Sequence, residues 1–280
     1  MPANNTDIIQ KLQERKRAGS GLPRLLEFYW ELLLLQDDAG RKLKASGPML
    51  TNEQINKRVH EGKSLLDETD LDLDLPGLRR LYHEIITLFS RYTDLFGEIP
   101  ENITALTPGR VVNRRTLGAW YKGRRILLPV ATDERAQSIL KAVFSAVMQP
   151  VLKTEAAALI KRLDKESWRR GYCPICAGNP DFSYLERENG ARWLVCPRCD
   201  AEWLFQRMEC PYCGNTNQNK LSFFSTDDAF YRLYVCDACK HYLKAIDLRQ
   251  TKESVLIPLE RLSTLDLDRQ AQEKGYTPCS

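Results

Sequence analysis

Eight of the nine cysteines in this 280-residue chain lie in four Cys-x-x-Cys pairs: Cys173/Cys176, Cys196/Cys199, Cys210/Cys213 and Cys236/Cys239. Two thiolates separated by two residues can face one ion, while N–H groups of the turn between them point at the sulfurs and spread their charge. Two such turns complete a tetrahedron, so four pairs amount to two mononuclear tetrathiolate sites. The pairs repeat as a unit: Cys173-Pro174-Ile175-Cys176-Ala177-Gly178-Asn179 matches Cys210-Pro211-Tyr212-Cys213-Gly214-Asn215 with one residue inserted, and Trp193-Leu194-Val195-Cys196 matches Leu233-Tyr234-Val235-Cys236. Pairing within each unit gives one site from Cys173, Cys176, Cys196 and Cys199 and another from Cys210, Cys213, Cys236 and Cys239. A cross-braced arrangement is the alternative; it must close two interleaved long loops, and the entropy of that closure favours the sequential pairing. Zinc and iron both accept four thiolates in a tetrahedron, so spacing leaves the ion open between them. The ninth thiol, Cys279, is expected to be a spare in a frayed tail.

Other cysteine chemistries fit less well. Four disulfides require an oxidising compartment, and the chain starts Met1-Pro2-Ala3-Asn4-Asn5-Thr6-Asp7, without a basic start followed by an apolar run. A cytoplasmic, reducing location is therefore expected. A dithiol oxidoreductase uses a single pair near a βαβ pattern. An iron–sulfur cluster also takes four thiolates, but two-residue pairs separated by a hairpin match a mononuclear ion better. The three histidines, His60, His83 and His241, have no nameable catalytic partner, and no phosphate-binding glycine loop, nucleophile elbow or HExxH is visible. A closed four-thiolate site leaves no coordination position for substrate or water. The expectation is a protein that is not an enzyme and has no catalytic residue.

The elements that must hold these cysteines are legible in outline. Between the pairs of each unit, apolar and aromatic residues flank turns at Asn189-Gly190 and at Thr226-Asp227-Asp228, the pattern of a β-hairpin. Each unit thus reads as a small ribbon of rubredoxin or zinc-ribbon type. Upstream the periodicity is helical. Pro23 opens an apolar run through Leu25, Leu26, Tyr29, Leu33 and Leu34, and Thr51-Asn52-Glu53-Gln54 is a capping box before Ile55, Val59 and Leu66. Pro76 starts a stripe from Leu78 to Phe96 that Gly97 follows; further helices are predicted from about Thr132 to a stop near Pro150 and from Val151 to roughly Leu163. Such stripes are core, because an amphipathic helix must bury its apolar face. The fold class predicted is α+β: a mostly helical N-terminal domain over 1–167, tandem rubredoxin-like four-cysteine lobes over 168–205 and 206–250, and a C-terminal extension over 251–280. No apolar run is expected to reach the ~18 residues that cross a bilayer, so no membrane insertion is expected.

Charge discriminates among partners. Between Trp168 and Gln250 stand eleven basic and ten acidic residues. Eight thiolates and two divalent ions would take that block to about −3. A ribbon built to grip phosphates carries a basic stripe instead. The one basic run, Arg110, Arg114, Arg115, Lys122, Arg124 and Arg125 with Trp120 and Tyr121 inside it, could hold nucleic acid or an acidic protein surface. It could equally match the acidic run Asp67, Glu68, Asp70, Asp72 and Asp74 or form a solvated loop, the commoner fate of charge runs.

The series CPIC, VCPRC-x3-W, CPYCGN and VCDAC followed by HYLK, after a helical N-terminal part, resembles the FdhE family of formate dehydrogenase accessory proteins. The resemblance is specific from about Gly171 to Gln250, with Trp203 after the second pair and Tyr242-Leu243-Lys244 after the fourth. It implies a cytoplasmic chaperone that binds the catalytic subunit of formate dehydrogenase during maturation. It also implies two rubredoxin-like ions, iron preferred and zinc as an easy substitute, held by all eight cysteines named above. Glycine is displaced to Gly178 after the first pair and absent after Cys199 and Cys239, departures expected to soften those turns. Nucleic acid is an unlikely partner on this reading. The alternatives from other classes are a nucleic-acid-binding zinc ribbon and a rubredoxin-like electron carrier.

Overall fold

Helical periodicity gives way to alternating periodicity near residue 170, and the backbone follows it. The computed structural model describes residues 5–17, 21–42, 45–46, 48–128 and 134–279. Among them the helices are α1 (Asn5–Arg15), α2 (Arg24–Lys42), α3 (Asn52–His60), α4 (Leu75–Arg91), α5 (Thr93–Phe96), α6 (Glu101–Thr104), α7 (Pro108–Val111), α8 (Arg114–Tyr121), α9 (Glu134–Leu159), α10 (Ile257–Ser263) and α11 (Leu265–Glu273). The strands are β1 (Ala45–Ser46), β2 (Asp72–Leu73), β3 (Phe182–Leu185), β4 (Arg192–Val195), β5 (Glu202–Phe205), β6 (Leu221–Ser225), β7 (Tyr231–Cys236) and β8 (Tyr242–Asp247). The class is α+β, as the periodicity predicts.

The chain forms two compact units, one from the described residues within Asn4–Pro48 and Glu68–Glu155, the other from those within Met49–Asp67 and Ala156–Ser280. In the first, α2 and α4 bury their stripes against each other around an edge-to-face cluster in which Phe28 touches Phe89, Tyr92 and Phe96 at centroid distances of 5.0, 5.3 and 4.6 Å. Asp74 caps α4 by accepting from the Gly77 N–H at 3.0 Å. Gly97, at φ +69°, closes α5 in a conformation that favours glycine.

Two expectations are corrected here. The helices expected on either side of Pro150 are one helix: α9 runs through the proline to Leu159. Proline lacks the N–H that would bond the carbonyl of Ala146, four residues earlier. The buried Gln36 side chain supplies a donor instead, its Nε2 lying 2.8 Å from Ala146 O. The expected start near Thr132 lies outside the described residues. The segment Glu134–Arg162 is also, by length and composition alone, apolar enough to span a bilayer. Of its most apolar window 61% is buried within the protein, the signature of a core helix.

In the second unit the capping box forms as read, with Thr51 N–H donating to Gln54 Oε1 at 2.8 Å and Gln54 N–H to Thr51 Oγ1 at 3.2 Å. The helix ends at His60, short of Leu66. Each ribbon is a three-stranded antiparallel meander, β3-β4-β5 and β6-β7-β8, and the two fuse into one six-stranded sheet of order β5-β4-β3-β8-β7-β6. The joint is a parallel pairing of β3 with β8, Phe182 opposite Lys244 through Leu185 opposite Asp247. The tandem lobes therefore share one hydrogen-bonded sheet. β8 is buried along its whole length. Tyr242, Leu233 and Val235 pack with Ala271, Leu267 and Tyr276, and Lys244 Nζ meets Asp268 Oδ2 at 2.5 Å.

The C-terminal end is held rather than frayed, because the backbone pairs with the ribbon: Thr277 N–H donates to Lys240 O at 2.8 Å, and Thr277 O accepts from Tyr242 N–H at 3.3 Å. Cys279 Sγ accepts from Asn179 Nδ2 at 3.2 Å.

Candidate metal centres

Each Cys-x-x-Cys pair sits in the same tight turn. The N–H of the residue after the second cysteine donates to the carbonyl of the first cysteine: Ala177 to Cys173, Asp200 to Cys196, Gly214 to Cys210 and Lys240 to Cys236, at 2.8–3.1 Å. The first cysteine's N–H closes the turn on the next carbonyl, that of Gly178, Ala201, Asn215 or His241, at 2.9–3.0 Å. This loop requires a left-handed residue after the second cysteine. Ala177, Asp200, Gly214 and Lys240 have φ of +56°, +54°, +69° and +60°. Three of the four are not glycine; the turns form nonetheless, and a side chain in that region costs roughly 1 kcal/mol each.

Gly178 serves space instead. A Cβ there would lie 3.2 Å from Cys196 Sγ and 3.4 Å from Cys176 Sγ, against the sulfurs themselves. Gly171 is tighter still, since a Cβ would fall 1.8 Å from Pro211 O at the second ribbon. Sequence reading assigned neither of these roles. It also missed the strand-like contact of Leu65 and Leu66, whose N–H groups donate to Pro174 O and Ile175 O at 2.8 Å and clamp the first turn from outside.

The turns bring the cysteines together as two sets, Cys173, Cys176, Cys196 and Cys199, and Cys210, Cys213, Cys236 and Cys239, with all Sγ atoms of a set within 4.8 Å of one another. The pairing is sequential, not cross-braced. Neighbouring sulfurs stand 3.4–3.6 Å apart in the first set and 3.7 Å in the second. A disulfide would bring them to about 2.0 Å. A tetrahedron of metal–sulfur bonds of about 2.3 Å has edges of about 3.8 Å, so both sets fit a single ion. Backbone donors aim at the sulfurs as such a site needs: Ile175 N–H to Cys173 Sγ and Arg198 N–H to Cys196 Sγ, each at 3.4 Å.

Electrostatics point the same way. Burial pushes the Cys173 and Cys199 thiols well up, while hydrogen bonds from Cys173, Cys196 and Cys199 hold Cys176 well down. In the second set burial raises Cys210, and raises Cys239 to about 11. Cys236 is lowered against the opposing effect of burial, by the N–H groups of Cys239 and Ala238. Without a cation, then, each quartet shares its charge unequally and keeps protons on some members. Four thiolates at these separations require a positive ion between them. The environments differ: the first quartet is entirely buried, whereas Cys213 is exposed and Cys239 half-buried.

The histidines take no part in a quartet. His241 Nδ1 contacts Cys239 O at 2.9 Å and its ring lies 5.4 Å from that of Tyr212, while His60 and His83 are exposed. Two members of the basic run are matched to the acidic run: Lys122 pairs with Glu68, and Arg114 with Asp72 at 3.7 Å. Trp120 is buried and donates to Ser145 Oγ at 3.2 Å, so it is a core residue and not an exposed anchor.

Residues 172–207, spanning the first quartet, match the family model described as FdhE, central domain. Over nearly its whole length the chain is also similar to the protein FdhE homolog of Aquifex aeolicus, 26% identical over 283 residues that cover 96% of this chain and 94% of the relative. The first ribbon matches the FdhE central domain, and the chain as a whole is similar to an FdhE homolog. Among further FdhE relatives, protein FdhE of Escherichia coli O1:K1 / APEC is 35% identical over 117 residues, 40% of this chain and 37% of that protein. The crystal structure of the FdhE protein from Pseudomonas aeruginosa aligns with all of this chain and 95% of that one, at a TM-score of 0.63 and 19% identity, an agreement of fold.

Proposed function

We propose that this chain is an accessory protein of the FdhE family that binds the catalytic subunit of a formate dehydrogenase during its maturation in the cytoplasm, and that it performs no catalysis of its own. In this reading Cys173, Cys176, Cys196 and Cys199 hold one structural ion in lobe 168–205, and Cys210, Cys213, Cys236 and Cys239 hold another in lobe 206–250. Iron is the preferred ion, with zinc as a substitute. The observation that carries the reading is the fusion of both quartets into one sheet through β3 and β8. An ion in each quartet cross-links a ribbon too small to hold itself, and folding free energy comes from metal binding. The product is a rigid, metal-set surface, suited to presenting a fixed face to a partner. Nucleic acid is not the proposed partner, because the quartets themselves bring the ribbons to a negative balance.

The test is anaerobic affinity capture with metal analysis. Recovery of a formate dehydrogenase catalytic subunit with about two ions per chain is expected. Recovery of RNA or DNA in its place would overturn the reading.

A further inference from the structure

A cavity of about 180 Å³ opens beside the second quartet. Its walls are largely apolar, drawn from Pro211, Tyr212, Phe223, Tyr234, Val235 and Leu243. Phe223, on the edge strand β6, is 50% exposed, and Met208, which also lines the cavity, 54%. An apolar cavity of about 150 Å³ holds one benzene, so this one seats a single aromatic or branched side chain.

Three arginines also line the cavity, Arg192, Arg207 and Arg232, against one acid, Glu209. Arg192 is only 3% exposed, and its hydrogen bonds go to carbonyls: Nη2 to Arg207 O at 2.7 Å and Nη1 to Glu209 O at 3.2 Å. Its guanidinium lies 4.4 Å from the Tyr234 ring centroid. Arg232 donates from Nη2 to Asp247 Oδ2 at 2.7 Å and lies 4.9 Å from the Phe223 ring centroid. The Nε–H groups of both are buried without an acceptor. Buried cationic donors of this kind are stabilised by an incoming carboxylate, which accepts from guanidinium with charge assistance.

We propose that this cavity is a docking site for a partner-protein segment in which one aromatic or branched apolar side chain is flanked by carboxylates. The apolar side chain enters the cavity, and the carboxylates meet Arg192, Arg207 and Arg232. The source of the segment, a client polypeptide, rests on the accessory-protein reading above. A polynucleotide fits less well, because the cavity takes one side chain. Cys210 and Cys236 contribute to the wall, so the second ion holds the cavity's shape.

The test uses the full chain with both ions and three synthetic peptides, acetyl-EEFEE-amide, acetyl-EEAEE-amide and acetyl-QQFQQ-amide. Binding is followed by the arginine Nε–H signals in ¹H–¹⁵N spectra. The first peptide is expected to move the Arg192 and Arg232 signals, and each of the others to bind about tenfold more weakly. Arg207 is exposed, so Arg207→Glu leaves the fold intact and is expected to weaken the first peptide by about tenfold; Phe223→Asp, at an exposed edge position, should do the same. Equal binding of the QQFQQ peptide, unmoved arginine signals, an unaffected Arg207→Glu variant, or tighter binding of an oligonucleotide at these signals would each overturn the site. Capture from cells separates the two readings. If both variants lose the peptide yet still capture the formate dehydrogenase subunit, the site assignment fails and the accessory role stands. If the peptide binds as expected while wild type captures no such subunit, the role fails and the site stands.

Discussion

Gln36 Nε2 donates to the carbonyl of Ala146 across 2.8 Å of buried space, and Ala146 is the residue whose carbonyl Pro150 leaves without a backbone donor. The contact lets α9 continue through a residue that ends most helices. The Oε1 of the same amide is buried without a donor to it. Gln36→Leu should therefore destabilise the chain by about 1–3 kcal/mol. In a Pro150→Ala background the new N–H serves Ala146, and the same substitution should cost about 1 kcal/mol less or even stabilise. Chemical denaturation of the four proteins measures the coupling, and additive costs would refute it.

The turn geometry yields a second expectation. Ala177 is left-handed and exposed, so Ala177→Gly should stabilise the metal-loaded protein by up to about 1 kcal/mol. Gly178→Val should instead dislodge the first quartet, because its side chain would press on Cys196 Sγ. Metal content falling from two ions to one per chain is the readout.

Asp247 gives the sheet a pH-dependent clasp. The buried carboxylate accepts from Arg249 N–H, Nε and Nη2 and from Arg232 Nη2 at 2.7–3.2 Å. Its pKa is depressed: burial opposes the shift, but the Arg249 hydrogen bonds and the Arg232 and Arg249 charges outweigh it. A depressed carboxyl stabilises the fold fully above the unfolded value of about 3.9 and loses that contribution as pH falls through the lower folded value. Asp247→Asn should cost about 3 kcal/mol at neutral pH. Urea midpoints of the two proteins should converge only as pH drops below the ordinary carboxylate range. A gap unchanged down to that range's acid side would show that charge is not what holds the clasp.

The two quartets should release their ions in a fixed order. Cys213 is exposed and Cys239 half-buried, whereas the whole first quartet is buried. A chelator should remove one ion quickly and the other slowly. Cys213→Ser should abolish the fast phase alone, and Cys213 should be the first ligand thiol alkylated as metal leaves.

What the sequence discloses here follows from how local each feature is. The Cys-x-x-Cys pairs, the Asn189-Gly190 turn and the Thr51–Gln54 capping box depend on residues a few positions apart, and all were readable; the repeat of the pairs then indicated how they join into quartets. The left-handed residues after the second cysteines were harder, because three of them are not glycine and only the repeated hydrogen bonds reveal the demand. Third strands β5 and β8 lay hidden behind their cysteines. The β3–β8 pairing, the clamp of Leu65 and Leu66, the continuation of α9 and the held end at Cys279 all draw on partners distant in sequence. Periodicity cannot report such partners; Pro150 looks like a stop until Gln36 arrives.

The parallel pairing of β3 with β8 also sets a timetable. During synthesis from the N-terminus the first ribbon emerges complete in its own cysteines, yet one rim of it stays unpaired until residues 242–247 have been made. An unpaired rim is a template for stray chains. The nascent protein must therefore carry a half-finished sheet for about forty residues of translation, from Phe205 to Asp247, and the final strand acts as the stitch that seals both metal lobes at once.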